Sequence, residues 1–168
     1  VAVGTNTHAV YWMDIRKAAS VDHTATSQRR GQAMTACAFT TVPEVSDRCC
    51  SGIGGLSFSS RGGLLCVNFK DHDVFTMEWR TLLAANSSRE REKSLVQRYR
   101  GRLNSNTMFK EAVFIRDDDY VATGGDCGNV YVWRTDGGEL VQRVRGDCDI
   151  VNGVLAHDSR PYVVCCGI

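Results

Sequence analysis

Two short boxes carry the charged chemistry of this 168-residue sequence, Asp14-Ile15-Arg16 and Glu78-Trp79-Arg80. Each sets a carboxylate two residues ahead of an arginine, directly after a run of apolar and aromatic residues with strand character. An acid at that point organises the turn that follows the strand. The arginine fork behind it can then engage an acidic or carbonyl-rich partner through two parallel hydrogen bonds. The plainer alternative is that the acid only closes the turn and the arginine is solvated. Asp14, Arg16, Glu78 and Arg80 are thus candidate partner-binding residues. Other reactive side chains do not combine: His8, His23, His72 and His157 are scattered, and none of the eight cysteines has C-x-x-C spacing, so no zinc site is expected. Ser51–Gly55 leads into a strand rather than a helix and lacks a following Gly-Lys-Ser/Thr, so it is no phosphate loop. No nucleophile, base and orienter share a context, and the chain reads as non-catalytic, with no cofactor, metal or small-molecule substrate. An enzyme built on Cys127, or on a Cys/His pair, is an alternative from another class.

The elements that would position these boxes repeat. Tyr120–Trp133 (YVATGGDCGNVYVW) reads as strand, glycine turn and strand, a hairpin. Val1–Met13 falls on Val121–Trp133 without a gap, and Val1, Ala2, Gly4, Val10 and Tyr11 match identically. Leu65–Met77 fits the same frame, with Val74 on Val10 and Val130, and Phe75 on the two tyrosines. A fourth copy begins at Val163. Val121 and Val163 lie 42 residues apart, inside the roughly 40–45 of a four-stranded WD-repeat blade. The wider offsets, 56 from Val74 to Val130 and 64 from Val10 to Val74, read as that period with loop insertions.

The expected fold is therefore all-β, a partial WD40 β-propeller of about three to four blades, two of them complete. Blade pieces fall at about residues 1–50, 51–86, 103–149 and 150–168, with an insertion over 87–102. Residues 17–50 read as an outer strand and a long surface insertion. WD blades often join a Gly-His pair, a strand Ser/Thr, a turn Asp and the Trp in one hydrogen-bonded set. Thr123, Asp126 and Trp133 are the candidate structural residues here, but Cys127 occupies the turn-Asp slot, and Gly101-Arg102 and Gly146-Asp147 stand in the Gly-His slots. The blades are thus expected to lean on apolar packing more than on a buried polar network.

A net charge of +1 favours neither nucleic acid nor an acidic substrate, and no run of 18 apolar residues marks a membrane helix. The cysteines read as reduced thiols, which predicts a cytoplasmic or nuclear protein. Ser87 and Glu90 fit a capping box, and Leu95, Val96 and Tyr99 supply an apolar stripe for a short helix behind it. The surrounding Arg89, Arg91, Lys93, Arg98, Arg100 and Arg102 outnumber Glu90 and Glu92. This stretch is either a solvated face or a contact for an acidic partner.

The run Asn104–Phe114 (NSNTMFKEAVF), followed by YVATGGDCGNVYVW, Gly146-Asp147 and Ile150-Val151-Asn152, resembles the cullin-4-associated WD-repeat substrate receptors. The likeness is to their WD and tetratricopeptide repeat adaptor branch. It implies a non-catalytic substrate receptor of a cullin-4 ubiquitin ligase, with the ligase's propeller adaptor and an unknown substrate as protein partners. In that family a W-D-x-R box on the propeller rim docks onto the adaptor. Asp14 and Arg16 match its acid and arginine, with Met13 in the aromatic slot, and Glu78 and Arg80 match it in the second blade. A generic WD40 scaffold of a chromatin or RNA-processing assembly, using the basic insertion, is the alternative.

Overall fold

Strand pairing in the protein follows the repeat frame residue for residue. The computed structural model describes residues 2–4, 9–12, 37–40, 52–157 and 159–168. Three hairpins share one register. β1 (Ala2–Gly4) and β2 (Ala9–Trp12) pair Val3 with Tyr11 and Gly4 with Val10. β5 (Leu64–Phe69) and β6 (Val74–Glu78) pair Val67 with Phe75 and Asn68 with Val74. β9 (Tyr120–Gly124) and β10 (Asn129–Arg134) pair Thr123 with Tyr131 and Gly124 with Val130. Because side chains alternate across a strand, equal registers send equivalent residues to equivalent faces.

Each hairpin belongs to an antiparallel meander, and the second and third lie at the middle of theirs. β3 (Cys37–Thr40) continues the first sheet. β4 (Ile53–Phe58) and β7 (Leu95–Tyr99) flank the second. β8 (Ala112–Ile115) and β11 (Leu140–Arg145) flank the third, while β12 (Val151–Ala156) and β13 (Val163–Gly167) pair by themselves. Inner strands meet inner strands, β1 against β4, β4 against β8, and β8 with β9 against β12. This is an all-β fold, a partial β-propeller of two four-stranded sheets flanked by smaller ones.

The segment 87–102 departs from its expected structure. The capping contact is present: Ser87 Oγ accepts from the Glu90 N–H at 3.3 Å, and the Glu90 carboxylate takes the Asn86 N–H at 2.7 Å. The resulting helix α2 (Ser88–Glu92) follows α1 (Trp79–Ala84) but stops before the apolar stripe. Leu95–Tyr99 is a strand instead, the fourth of the second sheet, so the second blade draws its outer edge from within the presumed insertion. The free edge of β6 decides this, pairing Val74 with Tyr99 and Met77 with Leu95 and burying Tyr99 completely. A helix of this length is marginal alone, and the unpaired edge outweighs it.

The core lies between the sheets. Val10, Ile53, Leu65, Val67, Phe69 and Phe75 fill the junction of the first and second. Cys66, Val74, Tyr99, Val121, Tyr131 and Trp133 fill that of the second and third, where Tyr131 stacks on Trp133 at 5.7 Å. Trp133 is fully buried, and its Nε1 donates to the Arg100 carbonyl at 2.9 Å, which ties β10 to the chain leaving the second blade. Trp133→Ala is expected to cost about 3–5 kcal/mol of stability in denaturant unfolding, from lost burial and the cavity left behind. Arg89→Ala, at an exposed position, is expected to stay within about 0.5 kcal/mol.

Candidate functional site

The rim begins where β6 ends. Glu78 is the N-cap of α1, and its carboxylate accepts from the backbone N–H of Thr81 at 2.6 Å and of Arg80 at 3.2 Å. Hydrogen bonds from Thr81, its side chain first, with that from the Arg80 N–H and the Arg80 charge, hold the carboxyl below its usual range. Glu78 is thereby committed to the turn, and the Arg80 side chain is left exposed beside it. Asp14 and Arg16 lie outside the described residues, so the two boxes are not brought together here.

Neighbouring turns share this edge. The Trp79 N–H donates to the Gly63 carbonyl at 2.9 Å, and Trp79 meets Phe58 edge-on at 5.0 Å. From the third sheet, the Asp118 carboxylate accepts the Ser60 N–H at 2.8 Å and the Ser60 hydroxyl at 2.7 Å, stapling the two blades. Its turn carries three successive non-glycine residues with left-handed backbone, Arg116, Asp117 and Asp118, at φ of 54°, 54° and 71°. Such strain persists only where the surroundings hold it. Arg134 occupies the register slot of Glu78, and Arg116 and Arg134 each lie 5.9 Å from the Tyr120 ring.

Behind the rim, a polar network crosses the junction of the second and third sheets. Arg102 stands in the Gly-His slot. Its Nη2 donates to Asn68 Oδ1 at 2.5 Å and to the His72 carbonyl at 3.2 Å, and its Nη1 donates to the Gly124 carbonyl at 3.2 Å. Burial pulls its pKa down to about 10, opposed by the charges of Asp73 and Asp126. Asn68 passes the connection on, its Nδ2 donating to the Lys110 carbonyl at 2.5 Å. Lys110 is fully buried, and its ammonium sits 2.5 Å from Asp126 and also donates to Thr107 Oγ1. Thr107 in turn donates to Asn152 Oδ1 at 2.6 Å, reaching β12.

Asp126 also takes the backbone N–H groups of Ser105 at 2.5 Å and Asn106 at 2.9 Å, so one carboxylate fastens the loop that joins the blades. Burial works to raise its pKa, but the Lys110 bond and those two N–H groups prevail and hold it below the usual range. Thr123 Oγ1 donates to the Glu111 carbonyl at 2.5 Å. The expectation of blades held chiefly by apolar packing is corrected here. An arginine and a Lys–Asp pair replace the missing residues, and Asp126, not Cys127, anchors the turn. Of these groups Lys110 comes from the Asn104–Glu111 loop, outside the repeat slots, while Arg102 and Asp126 stand within the repeat. The legible signal was a lysine on the buried register of the Phe109–Ala112 alternation.

Cys127 contacts Tyr131 Oη and Asn129 Nδ2, each at 3.0 Å. Burial pushes its pKa up, but these bonds and the backbone N–H groups bring it below the ordinary thiol value. Among the described residues its sulfur is bonded by a tyrosine and an asparagine, neither of which is a base of the kind that activates a thiol. The basic stretch is also divided. Arg98 pairs with Asp73 at 2.6 Å and lies over Phe75, and Arg102 is buried in the network, leaving Arg89, Lys93 and Arg100 at the surface.

No protein-family model matches the chain. It is 35 % identical over 81 residues to the WD and tetratricopeptide repeats protein 1 of human and of mouse, covering 48 % of this chain and 12 % of the relative. Identity to the human DDB1- and CUL4-associated factor 6 is 34 % over 70 residues, covering 42 % and 8 %. Identity to the Arabidopsis thaliana protein ALTERED SEED GERMINATION 2 is 32 % over 73 residues, covering 43 % and 10 %. The chain thus spans about a tenth of the length of the curated relatives it matches, and the likeness is to WD-repeat proteins.

Because the Asp126 carboxyl is held low, its ionised form stabilises the fold above the ordinary aspartate value of about 3.9, and that contribution is lost as pH falls through the folded value. Stability measured by denaturant unfolding is expected to decline below about pH 5, and Asp126→Asn, less stable at neutral pH, to show a flatter decline. The thiols should separate as well. Cys66, whose pKa burial pushes up to about 12, is expected to resist alkylation in the folded protein, while Cys127 labels with the exposed Cys148, Cys165 and Cys166. Peptide mass mapping reads both.

Proposed function

We propose that this chain is part of a non-catalytic interaction scaffold, a substrate receptor of a cullin-4 ubiquitin ligase that docks on the ligase's adaptor through rim arginines. The observation that carries this reading is the end of β6. Glu78 spends its carboxylate on the backbone of α1 and leaves Arg80 exposed on a rim built by turns of two blades. A fixed acid and a free arginine fork suit recognition of an acidic or carbonyl-rich surface. Asp14 and Arg16 would supply the same pair from the first blade. Support for the ligase comes from the likeness to a factor named for association with DDB1 and CUL4. Such a receptor works in the cytoplasm or nucleus, with protein partners only. The alternative contact, the basic stretch, has less to offer, since two of its arginines serve the blade.

Affinity capture with the full-length protein is the test. Wild type is expected to retain cullin-4 and its adaptor, and Arg16→Ala/Arg80→Ala to lose them at least tenfold with an unchanged unfolding midpoint. Wild type retaining neither would defeat the ligase assignment.

A further inference from the structure

The loop from β7 to β8 is pinned along its length yet displays large apolar side chains. Asn104 is buried, its Nδ2 donating to the Phe69 carbonyl at 2.6 Å and its own carbonyl accepting the Asp71 N–H at 2.7 Å. Ser105 and Asn106 are held by Asp126, Thr107 by Asn152, and Lys110 by Asp126. Beneath it lie Gly54 and Gly55: a Cβ on Gly54 would sit 2.5 Å from the Met108 carbonyl oxygen, and one on Gly55 would strike that of Lys110. The backbone is therefore pressed onto β4, and no space remains under the loop for another side chain. Leu103 stays 64 % exposed and Phe109 74 %.

Exposure alternates along the end of this loop. Phe109 and Glu111 face solvent, and Lys110 and Ala112 between and after them are buried. The lysine that separates ring from carboxylate points inward to Asp126, so it does not neutralise Glu111. Among the described residues no cation pairs with Glu111, whose backbone N–H is fixed to the Asn152 carbonyl at 2.9 Å. An aromatic face and an unpaired carboxylate two residues apart are together suited to one chemistry, an aliphatic chain ending in a cation.

We propose that Phe109 and Glu111 form a docking point for a peptide segment presenting a lysine or arginine beside an apolar residue. The apolar neighbour covers Phe109, and the cation reaches Glu111. Because the loop is already ordered, binding does not have to immobilise it, which is how a small contact becomes an energetic centre. The site is independent of the rim arginines and of the ligase assignment.

A short fluorescent peptide alternating leucine and arginine is the probe, titrated into the full-length protein and followed by polarisation, with a leucine–glutamate peptide as control. Saturable binding of the arginine peptide alone is expected, weakened about tenfold by Phe109→Ala and by Glu111→Gln, and unchanged by Glu92→Gln. Both loop variants remove exposed groups and should keep the wild-type unfolding midpoint. Absence of binding, equal binding of the glutamate peptide, or affinity indifferent to both loop variants would overturn the proposal.

Discussion

The buried pair of Lys110 and Asp126 is the contact on which the junction of the second and third blades turns. A lysine without solvent exposure is tolerable only with its charge matched and its hydrogen bonds supplied. Asp126 matches the charge and Thr107 supplies a further acceptor. The same carboxylate collects the Ser105 and Asn106 N–H groups, so closing the pair also closes the loop between blades. The ring of dependence continues through the Lys110 carbonyl to Asn68 and Arg102, and through Thr107 to Asn152 on β12. Three sheets are thereby tied by one polar chain laid against the apolar packing of Trp133, Tyr131 and Tyr99.

That arrangement explains how the surface is positioned. On one edge, the Asp118–Ser60 staple and the cap formed by Glu78 set the turns of adjacent blades side by side and leave Arg80 exposed. The loop between blades is held by hydrogen bonds along its backbone, which is seated on glycines that admit nothing beneath it. The sheets thus hold the two proposed contact surfaces apart, one at the rim and one on the loop between blades.

Much of the fold was legible because the hairpins share one register. Gly4, Asn68 and Gly124 could be superposed from the sequence, and their partners Val10, Val74 and Val130 follow from pairing geometry. Leu95–Tyr99 was misread because its apolar spacing suits a helix locally, whereas the edge of β6 that claims it lies far away in the chain. The polar junction was legible only in part, through Asp126 and Thr123. Arg102 and Asp126 stand within the repeat, but the lysine that completes the network, Lys110, lies outside the repeat slots and next to Asp126 only in the fold. Of the candidate contacts, the Glu78–Arg80 geometry is in view and Asp14 and Arg16 lie outside the described residues.

A double-mutant cycle on Lys110→Met and Asp126→Asn, read by denaturant unfolding at neutral pH, tests the central role of the pair most directly. Each single change should cost about 3–5 kcal/mol, since it strands a buried charge, and the double variant should cost clearly less than the two together. Losses that simply add would show that the two side chains stabilise the junction separately, and that the blades are not held by their pairing.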